Sequence, residues 1–135
     1  RNVIFLLMSV EIMLNAAGAI AEASSANVFV FSQGGWRTPH LEQGILLGIT
    51  RRTLLQLCEA HRIACLETVL TPEDMVQAEE VFICASVREL IPIVCINDRP
   101  IGSGRVGPQT TTLRAHYQHQ VRAYIEAQRS IFLNP

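Results

Sequence analysis

The chain has 135 residues, 49% of them hydrophobic, with 11 basic against 12 acidic side chains and a formal net charge of −1. That length makes one domain, or part of a larger one, with apolar surface enough for a real core. The near-neutral balance removes any general electrostatic reason to bind nucleic acid or an anionic membrane. All eleven basic residues are arginine, and none is lysine.

The apolar run from Val3 to Met8 is too short to span a bilayer and has no small-residue cleavage site behind it, so it reads as a buried element or a ragged start. Glu11 to Leu14 reads as a strand, Asn15 to Gly18 as a tight turn and Ala19 to Ala23 as the returning strand. Between this strand and the next lies a polar cluster, Ala21-Glu-Ala-Ser-Ser-Ala-Asn27. A carboxylate buried there needs a cationic partner or is driven neutral. Glu22 therefore has two readings: a strand-end glutamate bonded to water or arginine, or an acid that tunes a protonated ring nitrogen. Asn27 to Phe31 is a β-rich run, Ser32 to Gly35 reverses the chain, and Trp36 to Thr38 returns before Pro39 stops it.

Gly44-Ile-Leu-Leu-Gly-Ile-Thr-Arg-Arg-Thr-Leu-Leu-Gln-Leu-Cys-Glu-Ala60 reads as a glycine-hinged loop running into the amino end of a helix over roughly residues 50 to 61. Thr50 serves as its N-cap, and Leu54, Leu55, Leu57 and Ala60 form its apolar face. The first N–H groups of such a helix lack internal partners and sit at the positive end of its dipole, so the tip attracts a phosphate. Arg51 and Arg52 add positive charge nearby. The alternative is a plain capped helix whose glycines only punctuate.

Ile63 to Leu70 alternates as a strand does, and Thr71-Pro-Glu-Asp opens a short helix with a threonine cap, proline at the first position and acids in the first turn. Val81 to Ala85 and Leu90 to Ile96 are continuous apolar runs, expected as strands covered on both faces, with Ser86 to Glu89 as the bend between them. Asn97 to Pro100 makes another turn, and a final helix is expected from about Pro108 to Ser130, with Leu113, Tyr117, Val121, Tyr124 and Ile125 as a core-facing stripe.

Cys58, Cys65, Cys84 and Cys95 fall singly in apolar segments, which points to buried free thiols in a reducing, cytoplasmic setting rather than to disulfides or zinc. His116 and His119 share a helical face without acidic or cysteine partners, which favours a solvated surface over a metal site. Gly102-Ser-Gly-Arg-Val-Gly107 departs from the dinucleotide fingerprint in spacing and lacks a ribose-binding acid downstream. There is no internal repeat.

Four stretches occur in order: Glu22-Ala-Ser-Ser-Ala-Asn-Val-Phe29; Gly44-Ile-Leu-Leu-Gly-Ile-Thr-Arg51; Glu80-Val-Phe-Ile-Cys-Ala-Ser86 with Ile91-Pro-Ile93; and Ile101-Gly-Ser-Gly-Arg-Val-Gly-Pro-Gln-Thr110. Together, over about residues 11 to 120, they resemble the C-terminal domain of the class IV (fold-type IV) pyridoxal-phosphate enzymes, which include branched-chain and D-amino-acid aminotransferases and aminodeoxychorismate lyase. The resemblance implies an α/β (α+β) fold, a mixed β-sheet or pseudo-barrel with flanking helices, over residues 11–130. Residues 1–10 would be a truncated or atypical start, since Arg1 to Ser9 fits the pattern poorly, and the N-terminal domain would be absent.

By the same resemblance the cofactor is pyridoxal 5′-phosphate. Glu22 would pair with the pyridine nitrogen and keep it protonated, and Leu46 would pack on the ring face. Ile49 and Thr50, following Gly48 at the helix start, would hold the phosphate, with Ser86 beside Ala85 completing the cradle. Ser86 and Val87 would meet the substrate carboxylate. The substrates implied are an amino acid and a 2-oxo acid, and the assembly implied is a homodimer. The Schiff-base lysine of the family lies further upstream of the glutamate than the residues before Glu22 here, so no catalytic residue is assigned. The chain is expected to be a C-terminal portion of an aminotransferase that is inactive alone. Arginine cannot substitute, because it stays protonated near neutral pH. The alternatives are an aminodeoxychorismate lyase-like enzyme and a non-catalytic binding or assembly module of the same fold.

Overall fold

Nearly every side chain in Asn27–Ser32 and Glu80–Ala85 is apolar, so a strand made from either has no face to leave in water. A computed structural model describes residues 3–5, 11–23, 26–40, 48–85 and 89–133. The elements, in chain order, are β1 (Val3–Phe5), β2 (Glu11–Leu14), β3 (Ile20–Ala23), β4 (Asn27–Ser32), β5 (Gly35–Pro39), α1 (Ile49–Ala60), β6 (Cys65–Thr68), α2 (Pro72–Val76), β7 (Glu80–Ala85), β8 (Glu89–Ile93), β9 (Cys95–Ile96), β10 (Arg99–Pro100) and α3 (Pro108–Leu133).

The central sheet has the order β6-β5-β4-β7-β8, with β4 and β7 antiparallel in its middle. Alternation then divides their side chains. Val28, Val30, Val81 and Ile83 enter one core with Ile12, Ile20, Leu70 and Met75, whereas Phe29, Phe82 and Cys84 enter a second with Trp36, Leu54, Leu57, Leu113 and Tyr117. The partners Phe29 and Phe82 stack with centroids 4.8 Å apart, and Trp36 meets Phe82 edge-on, also at 4.8 Å. Fully burying a side chain of this kind stabilises the fold by about 1.5–3 kcal/mol.

β5 and β6 are parallel, so the chain must cross over between them, and α1 is that crossover. β1, β2 and β3 form a three-stranded antiparallel sheet. At the β2–β3 turn, Asn15 Oδ1 accepts from the N–H groups of Ala17 and Ala19 at 3.0 and 3.1 Å, and Gly18 takes the positive φ of 80°.

Two helix starts are capped by the chain's own side chains. Thr71 and Asp74 form a capping box on α2, with Asp74 N donating to Thr71 Oγ1 at 3.2 Å and Thr71 N donating to Asp74 Oδ2 at 2.8 Å. The Thr71 N–H holds the Asp74 carboxyl below its ordinary range, with Arg37 adding to the effect against the opposing pull of burial. On α3 the cap comes from another element: the buried Glu80 of β7 accepts from Gln109 N at 3.1 Å and Thr110 N at 2.8 Å. A side chain at Gly107 would overlap this carboxyl.

Three expectations are corrected. The run from Leu90 to Ile96 is not one strand. β8 ends at Ile93, and β9 pairs with β10 around Asn97 and Asp98, whose φ values of 48° and 64° suit a tight hairpin turn. The stripe on α3 is core-facing only in its first half. Leu113 and Tyr117 are buried and Val121 packs against them, but Tyr124 is 65% exposed and Ile125 49%. The helix runs 26 residues, about 39 Å at 1.5 Å per residue, and so overshoots a sheet whose longest strands are six residues. Finally, Cys58 and Cys84 are buried as expected, but Cys65 and Cys95 are only partly so. Among the described residues no helix is long and apolar enough to cross a membrane.

Replacing Glu80 with alanine is expected to strip one buried and one partly buried N–H group of their acceptor and to cost about 1–3 kcal/mol in denaturant unfolding. A loss within error would show that α3 does not depend on this cap. A second prediction concerns His61 and His116, whose rings stack 3.7 Å apart where α1 ends against α3. Desolvation, then the charges of His61 and His119, hold His116 below its ordinary pKa of 6.5. The folded state then binds fewer protons than the unfolded one, so stability falls as pH drops below that value. Thermal unfolding between about pH 7 and pH 5 is expected to show this decline, and His116→Gln to flatten it.

Candidate functional site

Backbone pairing gathers the expected site at one end of the central sheet. Ala23 and Ala26 exchange backbone hydrogen bonds of 2.9 and 3.1 Å, which brings the end of β3, and Glu22 one residue before it, to the start of β4. There Asn27 pairs with Cys84, so the last residues of β7, Cys84 and Ala85, lie at the same end. The tip of α1 reaches it too. Gly48 sits so close to Asn27 that a Cβ at position 48 would overlap Asn27 Oδ1, which only glycine avoids. Of the residues singled out from the sequence, Glu22, Gly48, Ile49, Thr50 and Ala85 therefore share this end, whereas Leu46, Ser86 and Val87 lie outside the described residues.

The helix tip differs from expectation in one respect. Gly48, not Thr50, is the N-cap, and it has no side chain with which to bond the first turn. Thr50 is instead the second helical residue and is buried, while Ile49 is 80% exposed. The first backbone bond of the helix joins Arg52 N to Gly48 O at 3.1 Å, and the first turn holds no acid. A threonine cap would have consumed one of the free donors. A glycine cap leaves the N–H groups of Ile49, Thr50 and Arg51 without an intrahelical acceptor at the positive end of a 12-residue helix. This arrangement fits an anion such as a phosphate.

Arg51, read from the sequence as positive charge near the tip, is buried there. Its side chain is 3% exposed, and Nη2 donates to Pro39 O at 3.0 Å and to Glu67 Oε1 at 2.6 Å. Of the two arginines, Arg52 is the one with an exposed side chain. Sequence reasoning missed the parts played by Asn27 and Arg51. The signals were a lone amide heading an apolar strand, and an arginine falling on the helix face shared with Leu54 and Cys58.

The opposite end of the sheet carries a polar cleft of about 530 Å³ lined by Ser32, Gln33, Arg37, Asp74, Gln77 and Glu79. Its charges are engaged with the chain itself. Arg37 lies 3.6 Å from Asp74 and donates to Ser32 Oγ at 3.0 Å, and Glu79 accepts from Gln33 N at 3.1 Å. The α1 end is therefore the stronger candidate. Among the described residues no group of three His, Cys, Asp or Glu is placed to hold a metal ion.

Residues 10–96 match the family model for amino-transferase class IV. The chain belongs to the class IV aminotransferases. It is 36% identical over 111 residues to the D-alanine aminotransferase of Bacillus licheniformis, covering 82% of this chain and 39% of that one. It is 34% identical over 116 residues to a probable branched-chain-amino-acid aminotransferase of Aquifex aeolicus, covering 85% and 37%. A solved structure of a branched-chain amino acid aminotransferase complexed with N-(5′-phosphopyridoxyl)-L-glutamate superposes with a TM-score of 0.75 at 29% identity, over 79% of this chain and 35% of that one. The chain thus spans less than two fifths of the length of these relatives.

Gly48→Ala is expected to cost about 1–3 kcal/mol by forcing Asn27 away from the helix tip. A double-mutant cycle with Asn27→Ala, followed by urea unfolding, is expected to give a coupling of about 0.5–3 kcal/mol. Strict additivity would mean that the two residues do not press on each other.

Proposed function

We propose that this chain is the cofactor-holding part of a pyridoxal-phosphate-dependent aminotransferase that moves an amino group between an amino acid and a 2-oxo acid. The observation that carries the reading is the glycine-capped tip of α1, at the same end of the sheet as the Glu22 end of β3, in a chain of the class IV family. One relative's solved structure is a complex with a phosphopyridoxyl compound, which supports the same cofactor here.

In this reading the backbone N–H groups of Ile49 and Thr50 bind the phosphate, with Gly48 letting the chain enter the tip and Ser86 beside Ala85 completing the cradle. Glu22 holds a proton on the ring nitrogen, and Leu46 covers the ring face. Ser86 and Val87 meet the substrate carboxylate. When bound, the cofactor supplies an electron sink for the charge that develops at the substrate α-carbon. Holding the ring nitrogen protonated is what makes that sink effective, which is why the acid belongs on the ring side and the helix tip on the phosphate side.

The chain has eleven arginines and no lysine, so the amine such chemistry requires is not among these 135 residues. We therefore propose that these residues do not transaminate by themselves. The lack of lysine is also the observation that favours the second reading, a binding or assembly module that keeps the fold without the chemistry. The relatives include both D-alanine and branched-chain enzymes, and a branched-chain-type donor with a homodimeric assembly is our preferred form of the first reading.

Glu22→Gln in the full-length protein is expected to lower turnover by about tenfold or more while leaving the cofactor bound, as read by absorbance and steady-state kinetics. Unchanged turnover would remove Glu22 from the mechanism, and an absence of any saturable binding of pyridoxal phosphate would sink the reading as a whole.

A further inference from the structure

A cation in the first turn of a helix faces the positive end of the dipole, and stripping a guanidinium of water is costly unless its surroundings repay it. Arg51 accepts both penalties. Its side chain is 3% exposed in the first turn of α1, and its Nε has no hydrogen-bond partner among the described residues. A buried ion pair is weak evidence for stability, so its presence calls for another explanation.

The bonds Arg51 makes supply one. Pro39 is the last residue of β5 and Glu67 lies in β6, next to Pro39's partner Thr68, so one guanidinium ties two parallel strands to the first turn of the helix that connects them. On the other flank Gly48 abuts Asn27 of β4. The tip is thereby held from both sides, and the N–H groups of Ile49 and Thr50 are held with it. The charge of Arg51 also reaches the site end of β7. The Cys84 thiol, pushed up to about 12 chiefly by burial, is drawn back down by Arg51.

We infer that Arg51 is a positioning residue that fixes the tip of α1 for the cofactor phosphate through its bonds to Pro39 and Glu67. The inference rests on the cofactor reading above and adds to it the residue that aims the helix. Lysine keeps the charge but is a compact point donor that cannot reproduce the planar fork, so Arg51→Lys separates geometry from charge.

The test compares the dissociation constants of the full chain for pyridoxal phosphate and for pyridoxal, which has the same ring without the phosphate. The wild type is expected to prefer the phosphorylated form. Arg51→Lys is expected to cut that preference about tenfold with pyridoxal binding unchanged. Glu67→Gln, altering a side chain 46% exposed, is expected to cut it about threefold without affecting folding. An unchanged preference in folded Arg51→Lys overturns the inference, as does an equal loss for both ligands, the signature of a merely structural residue. If Arg51→Lys does not fold by circular dichroism, an unchanged preference in Glu67→Gln overturns it instead. A wild type without any phosphate preference overturns the cofactor reading, and this inference falls with it.

Discussion

The pairing of β4 with β7 is the constraint on which the other elements depend. Because both strands are apolar on both faces, the sheet they form has to be covered twice: by β2, β3 and α2 on one side, and by α1 and α3 on the other. Each covering layer then fixes a chain segment at a chosen end of the sheet. The register Asn27 to Cys84 brings the start of one strand and the end of the other together, and the β3 return delivers Glu22 to the same place. The site is therefore a consequence of where two hydrophobic strands are aligned.

The three helix starts show how the same chain handles one physical problem in two ways. At α2 and α3 the orphan N–H groups are met by the chain itself, through the Thr71–Asp74 capping box at one and the Glu80 carboxylate of a neighbouring strand at the other. At α1 the cap is a glycine, the first turn has no acid, and the basic residue that falls there is turned inward to bind Pro39 and Glu67. The helices whose role is packing are closed by the protein. The helix that faces the candidate site has neither a side-chain bond from its cap residue nor an acid in its first turn to offset its dipole.

Close contact, more than any single strong bond, packs that tip against the sheet. Gly48 has no room for a methyl group because Asn27 occupies the space, and Arg51 is almost wholly buried and bonded to both β5 and β6. Packing at such density transmits small changes, so residues that never reach a ligand influence how one is held. The covering of Arg51 also changes the electrostatics of the tip. A solvated arginine is screened over about 8–10 Å by salt and weakened by water's high dielectric, whereas a buried one acts through a low-dielectric interior.

What the amino-acid sequence determined by itself was local. The Val81 to Ala85 run foretold a strand covered twice, the Thr71-Pro-Glu-Asp stretch foretold its capping box, and four ordered stretches foretold the family, because each depends on residues close together in the chain. Three features were decided only by the tertiary structure. Glu80 caps a helix 29 and 30 residues away, Asn27 forces glycine at position 48, and Arg51 is buried by strands on either side of its own helix. Thr50 lost the cap position to Gly48 for the same reason: the start of α1 is set by how the helix meets β4, and no sequence window of helical length contains both partners of that contact.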